Sequence, residues 1–432
     1  MTKEMTEGSP LRLIFNFSLP LILGSLLQQT YSLIDAAIVG KYLGINDLAA
    51  VGASTSVVFL IIGFCTGCCC GFGIPVAQAF GARSYSDLRR YVANSLWVSL
   101  IISVVLAVVT SLLCERILFM MQTPHDILHH AYLYLLVTFI GIPFTFLYNL
   151  LSSLIRALGD SKTPFYFLLM AAILNIVLDL FCILILHWGV AGAAGATVTA
   201  QLISTVACFA YAFSKYPDLR LHKEDWHITG LDLKRHIVQG VPLGLQFSVL
   251  AIGIIVMQSV VVKFDMIDGQ MVSHAAQNGF GAANKLNSLI MTPVNGLGAA
   301  MTSFTAQNLG AGYTHRIRKG ILQGLVMAAI IGVCSVGLGL LLTIDGAYLH
   351  IFLSADKVTA DTIRFGNHFL YVDFSMYLLL CFLFVVRNCV QGIQRAPFVL
   401  WAGASELIAR VAICLTLPAL LSGGVVSAQS PE

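Results

Sequence analysis

Asp35 and Asp179 are lone acids in oily surroundings. Asp35 is the only charged residue between Leu13 and Val39, and Asp179 the only one between Phe165 and Leu186. An acid at the centre of a membrane helix costs roughly 2.5–3.5 kcal/mol or more, so it usually faces an aqueous cavity or an ion route. Asn175 precedes Asp179 by four residues, on the same helix face, and Thr197 lies in the next apolar run. Two carboxylates, an amide oxygen and a hydroxyl can bind a proton or a sodium ion. Sodium wants several oxygens, and then Asp35, Asn175 and Asp179 are its metal ligands. A proton needs only a poorly solvated acid beside another carboxylate. The residue types fit either ion. The competing reading is that each acid caps a helix end or hydrogen-bonds a neighbour.

The elements that must position these groups are membrane helices. The chain has 432 residues, 58% hydrophobic and 10% charged, with mean hydropathy +0.86. Apolar runs of ~20 residues are the signature of spanning helices. Eleven are readable, at about 13–39, 49–79, 91–113, 131–155, 165–186, 189–213, 237–262, 275–305, 320–344, 365–386 and 397–421. The first is too long for a signal peptide, with no small-residue cleavage site after it, and is expected to stay as a span. With the N-terminus inside, 17 of the 24 basic residues, Arg387 among them, fall in cytoplasmic segments. This predicts a multi-pass protein of the cell (plasma or inner) membrane with a cytoplasmic N-terminus. No soluble module carries a basic stripe for nucleic acid. Cys65, Cys68, Cys69 and Cys70 lack a second ligand group at zinc-like spacing and read as small packing residues.

Depth follows from helix rise. Asp35 lies ~33 Å along the first helix, Asp179 ~21 Å up the fifth and Thr197 ~10 Å down the sixth. All three are expected in the outer half of the first lobe.

The chain also repeats itself. Ala77-Gln78-x-x-Gly81-Ala82 recurs as Ala306-Gln307-x-x-Gly310-Ala311, each followed by a basic pair, Arg89-Arg90 and Arg318-Lys319. Gly159…Pro164-Phe165 recurs as Gly392…Pro397-Phe398, and Leu19-Pro20-Leu21 matches Val241-Pro242-Leu243. Six helices precede the polar segment between the halves, so both halves share one orientation, with the substrate path between them. The expected architecture is an all-α polytopic membrane protein of two parallel, pseudo-symmetric six-helix repeats. Residues 1–213 form the N-terminal lobe, 214–236 a cytoplasmic linker, and 237–432 the C-terminal lobe. Only five runs are found in the second half. The repeat calls for a twelfth helix that the sequence after Leu421 lacks, which reads as a truncated or frame-shifted form, with a natural short form as the alternative.

Pro20 interrupts the first helix and is a candidate hinge or a static bend. Gln28, Gln29, Asn149, Gln246 and Gln258 are polar groups inside spans, for a cavity, a substrate or interhelical hydrogen bonds. Glu406 and Arg410 read as an i,i+4 ion pair, Asp373 as a second-lobe ion ligand or a near-surface acid, and Lys285 as a snorkelling base.

With these residues placed, the chain resembles the MATE family, the multidrug and toxic compound extrusion transporters. The likeness is carried by Pro20 and Asp35, the two Gly-Ala turns, Arg156–Pro164, and Asn175, Asp179 and Thr197. In similar members an acid on helix 1, Asn-x-x-x-Asp on helix 5 and a helix 6 threonine form the first-lobe cation site, and the helix 1 proline bends with protonation in some. The resemblance implies secondary active export of small-molecule drugs or organic cations in exchange for H+ or Na+. It implies no enzyme activity and no cofactor beyond the coupling ion. Membrane lipids are the other expected partners, and the chain is expected to act as a monomer. The sequence departs from the family at Leu250 and Leu380, where some members carry acids, so coupling should fall on the first lobe. Two alternatives compete. A lipid-linked oligosaccharide flippase of the same superfamily would line its cavity with arginines, and Arg410 is the one arginine well inside a run. A membrane prenyltransferase needs more acids to hold diphosphate through a metal, and position 183 is Ile183. A primary ATP-driven pump lacks its G-x-x-x-x-G-K-[ST] loop.

Overall fold

The computed structural model describes residues 4–121, 123–267, 270–354 and 357–421. The first lobe holds α1 (Pro10–Tyr42), α2 (Ile45–Gly81), α3 (Tyr85–Met120), α4 (His125–Ile140), α5 (Ile142–Ala157), α6 (Lys162–Leu180) and α7 (Gly189–Lys215). The second holds α8 (Gly230–Val261), α9 (Ala275–Gly310), α10 (Thr314–Thr343), α11 (Ala347–Phe352), α12 (Ala360–Gly392) and α13 (Ala396–Leu421). A two-residue antiparallel pair, Met266–Ile267 with Gln270–Met271, joins α8 to α9. The side on which α1 begins is the near side, and the other is the far side.

Among the described residues nine helices are long and apolar enough to cross a membrane, and the bent α4–α5 pair makes a tenth span. The remaining run read from the sequence, 275–305, is α9. It has the length, 36 residues, but its Gln, Asn, Thr and Gly content keeps it outside that set. The reason is its position. It packs against α12, α1, α2 and α10, so its polar groups meet protein partners rather than lipid. The twelfth helix expected from the repeat would follow Leu421, and residues 422–432 lie outside the described residues.

Two sequence readings are corrected. The run 131–155 is two helices, α4 and α5, bent by 47° at Gly141. Pro143 lacks the N–H that would bond one turn back, and its ring crowds that carbonyl. Gly141 packs closely too, since a Cβ there would lie 2.3 Å from Val198. Arg387 is not in a near-side loop. It sits within α12, 7% exposed. Thr229 caps α8 through the Asp232 amide, and the helix begins at Gly230, within the segment read as the linker.

Each lobe has its own core. Phe72, Phe139, Phe146 and Leu150 centre the first, and Phe304, Tyr348, Tyr377 and Val385 the second. The lobes meet along α2–α8, α1–α9 and α2–α9. At the α2–α8 crossing Gly67 and Gly71 face Gly240 and Gly244. A Cβ on Gly71 would lie 2.5 Å from the Gly240 Cα, and one on Gly244 would lie 2.6 Å from the Cys68 Sγ. Small residues at four-residue spacing let two membrane helices approach to backbone contact. That is the work of the cysteine-rich stretch of α2.

Candidate functional site

The site lies in the far half of the first lobe, where three helices bring four polar side chains together. Asp35 lies two turns before the end of α1, and Asp179 is the penultimate residue of α6. Thr197 lies in the third turn of α7. Directly after Asp179 the helix widens into a π-turn, Phe181–Ile185, closed by the Leu186 amide on the Phe181 carbonyl. Such single π-turns recur at functional sites. The chain then reverses through His187 at φ 54 and Gly189 at φ 60, which returns α7 against α6.

Asp179 is fully buried and Asn175 is 3% exposed. The Asn175 amide donates to the Thr197 hydroxyl at 3.1 Å, and that hydroxyl donates to the Ala193 carbonyl at 3.2 Å. The amide nitrogen is thus held by Thr197, which leaves Asn175 Oδ1 as an acceptor. Asp35 and Asp179 lie within interaction distance of one another. Asp35 Oδ1, Asn175 Oδ1 and both Asp179 oxygens are buried without a hydrogen-bond partner. Buried oxygens without a donor cost free energy, and two carboxylates side by side repel strongly in a low-dielectric setting. A proton or a small cation between them relieves both.

Sequence reasoning missed two tyrosines. Tyr134 of α4 lies within electrostatic reach of Asp35, Asp179 and Tyr31, and Tyr31 of α1 lies beside Gln28. Tyrosines are common in any membrane core, so no sequence signal separated these from the rest. One turn beyond the acids, toward the far side, Ile38, Val39, Val51, Ile183, Val190 and Ala193 form a small apolar cluster.

The other polar residues scatter. Gln29 donates to Thr292 of α9 at 2.8 Å, a contact between the lobes, and Gln28 is exposed. Asn149 donates to its own helix at Thr145. Gln246 is 3% exposed and packs beside Gly403 of α13. The helix α1 runs unbroken through the buried Pro20. In the second lobe the expected Glu406–Arg410 pair is a triad: Glu406 accepts from Arg410 at 3.0 Å and from Arg387 at 2.9 Å. Asp373 is within electrostatic reach of Arg410, and the Lys285 ammonium lies over the Phe352 ring. No group of three His, Cys, Asp or Glu side chains converges as a metal site among the described residues.

Outside the spans, Asp160 ties the first lobe to the linker. It accepts from the Lys162 and Thr163 amides at the start of α6, from the Thr163 hydroxyl, and from the Tyr216 hydroxyl at 2.6 Å. Burial alone raises this carboxyl, but these hydrogen bonds, Tyr216 first, outweigh it and hold Asp160 below the usual carboxylate range.

The profile of the MatE family matches residues 20–181 and 253–416, both halves of the chain. The chain is 30% identical over 417 residues to a Bacillus subtilis protein named probable multidrug resistance protein YoeA, covering 95% of this chain and 86% of that one. It is 24% identical to a Shewanella oneidensis protein named FAD transporter, over 73% of this chain and 68% of that one. A solved structure described as the outward-facing conformation of a multidrug resistance MATE family transporter of the MOP superfamily has the same fold. Its TM-score is 0.86 at 22% identity, covering 95% of this chain and 89% of that one.

Proposed function

Because the chain belongs to the MatE family of membrane transporters, and so works as a multidrug efflux transporter rather than as an enzyme, we propose that it exchanges a proton or a sodium ion for an exported organic compound, often cationic. One observation carries the reading. Asp35, Asn175 and Asp179 bring four buried acceptor oxygens together without a donor among them. Asp35, Asn175 and Asp179, with Thr197 positioning the amide, are the ion ligands. Gln28, Gln29, Asn149 and Gln246 are the polar groups offered to cargo or to the lobe contacts, and Pro20 is the hinge of α1.

The near side is cytoplasmic in this reading, because most Lys and Arg residues of the connecting segments lie there. The protein sits as a monomer in the cell membrane, among its lipids. Cargo enters between the lobes from the near side, and ion binding from the far side neutralises the acid pair. Neutralisation removes the repulsion between α1 and α6 and lets α1 repack, which biases the lobes toward cargo release. The lipid-linked flippase alternative asks for guanidinium groups free to hold phosphate. Arg387 and Arg410 are instead both engaged by Glu406.

The test is efflux of a cationic dye from vesicles, with imposed pH and sodium gradients run separately. We expect Asp35→Asn and Asp179→Asn each to abolish gradient-driven transport. Asn175→Ala and Thr197→Ala should lower it by about tenfold, the loss of one hydrogen bond to the ion-binding group. If both acid variants pump at wild-type rates, the ion site is wrongly assigned.

A further inference from the structure

The duplicated Ala-Gln-x-x-Gly-Ala segments, the strongest internal repeat of the chain, lie far from the acid pair. The structure gives them a joint position. The near-side ends of α2 and α9 cross, and each touches the other through the same residues of the repeat. A Cβ on Gly81 would lie 1.9 Å from the Gln307 carbonyl oxygen, and one on Gly310 would lie 2.0 Å from the Gln78 carbonyl oxygen. Only glycine at both positions permits this backbone contact.

The glutamine side chains then reach across the seam in opposite directions. Gln307 of the second lobe donates to the Ala157 carbonyl at the end of α5, at 2.8 Å. Gln78 of the first lobe donates to the Gly392 carbonyl at the end of α12, at 3.0 Å, and accepts from the Gln394 amide at 2.5 Å. The two receiving turns are themselves copies of one another, Gly159…Pro164 and Gly392…Pro397. Both duplicated motifs therefore meet in one two-fold contact that joins the lobes.

A third segment lies over this contact. Met5, 2% exposed, donates its amide to Gln307 Oε1 at 2.9 Å, and its carbonyl accepts from Asn308 and Arg316. Arg316 also donates to the Gly8 carbonyl at 3.0 Å. From the first lobe, Arg83 pairs with Glu4 at 2.9 Å and Glu7 at 3.5 Å. Residues 4–8 are thus bonded to both lobes at once.

We propose that Gln78 and Gln307, packed on Gly81 and Gly310, form a two-fold clasp that closes the near side of the transporter, with residues 4–8 as a strap across it. Opening to the near side requires both glutamines to release their carbonyls and the strap to leave the second lobe. The clasp rests on the alternating-access reading above. It goes beyond that reading by naming the contacts that separate the two states.

Amide hydrogen exchange of the full chain in lipid nanodiscs tests this without cargo or an ion gradient. The variants are Gln78→Leu with Gln307→Leu, which removes the clasp hydrogen bonds, and Gly310→Ala, which blocks the crossing by bulk. In each we expect exchange of 4–9, 76–83 and 305–313 to rise by about tenfold or more, the loss of at least one interlobe hydrogen bond. At the same time 30–42 and 190–200 on the far side should gain protection as that side closes. Loosening of the near side without far-side protection makes the contact a static seam and overturns the proposal. Unchanged exchange overturns it as well, and so does loosening along the whole chain. A third variant, Arg83→Glu, guards against misfolding, since it touches only the exposed strap contact. It should free 4–9, and Glu4→Arg with Glu7→Arg should restore their protection. Failure of the dye-efflux test leaves this exchange pattern unaffected, so the two readings fail separately.

Discussion

Asp160 shows how a single residue outside the spans carries stability. Four donors converge on its carboxylate and join the start of α6 to the first linker residue, Tyr216. Asp160→Asn keeps the shape but loses the charge at a helix start, and should cost about 1 kcal/mol. A lowered melting temperature in detergent checks this. The sign with pH follows from the depressed carboxyl: its stabilisation is fully present above the ordinary value of 3.8 and is lost as pH falls below it. The Asp160→Asn variant should therefore show a smaller drop in melting temperature than the parent between pH 5 and pH 3. The acid pair follows a different logic. There the absence of donors, rather than their number, marks the proposed site, and the efflux assay on Asp35→Asn and Asp179→Asn tests it.

At the scale of elements, the α2–α8 crossing joins the lobes by shape. Its glycines leave no room for a side chain: a Cβ on Gly240 would lie 2.1 Å from Phe72 Cε1, within the first-lobe core. Gly240→Leu should cost about 1–3 kcal/mol or more through overpacking, seen as a lower melting temperature and a smaller folded fraction on size exclusion. The same substitution at Gly337 of α10, where a Cβ meets nothing within 4 Å, should leave both measurements near the parent's. The break between α4 and α5 is also an element-scale feature. It follows from one missing N–H at Pro143, and it sets the course of the helix pair that carries Tyr134.

For the whole molecule, orientation and docking are linked. Arg89 and Arg90 at the start of α3 pair with Asp225 at 3.1 Å and Asp232 at 2.8 Å, so the linker and the start of α8 are held on the near side of the first lobe. Trp97 and Trp226 meet edge to face beside these pairs, 5.9 Å apart. If the near side is cytoplasmic, an epitope inserted after the exposed Arg220 will bind antibody only in permeabilised cells. Binding to intact cells would invert the proposed topology and the direction assigned to ion entry.

How much of this was legible before folding depends on range. The alternation of oily runs and short polar segments follows from the cost of exposing backbone to lipid, and of the eleven runs it marked, ten are long and apolar enough to span among the described residues, the bent α4–α5 pair counted as one. A charge isolated in such a run stands out by its cost, so Asp35 and Asp179 declared themselves. Four-residue spacing put Asn175 beside Asp179, and self-similarity disclosed the two lobes. What required the tertiary structure was every choice made between distant segments. Nothing local distinguishes Tyr134 from other tyrosines, or tells that Arg387 would join Glu406. Nor does anything local show that Gln78 and Gln307, 229 positions apart, each bond a turn in the other lobe. Solvation cost is a property of a segment and is written along the chain. A partner for a buried polar group is a property of packing, and it exists only once the helices have met.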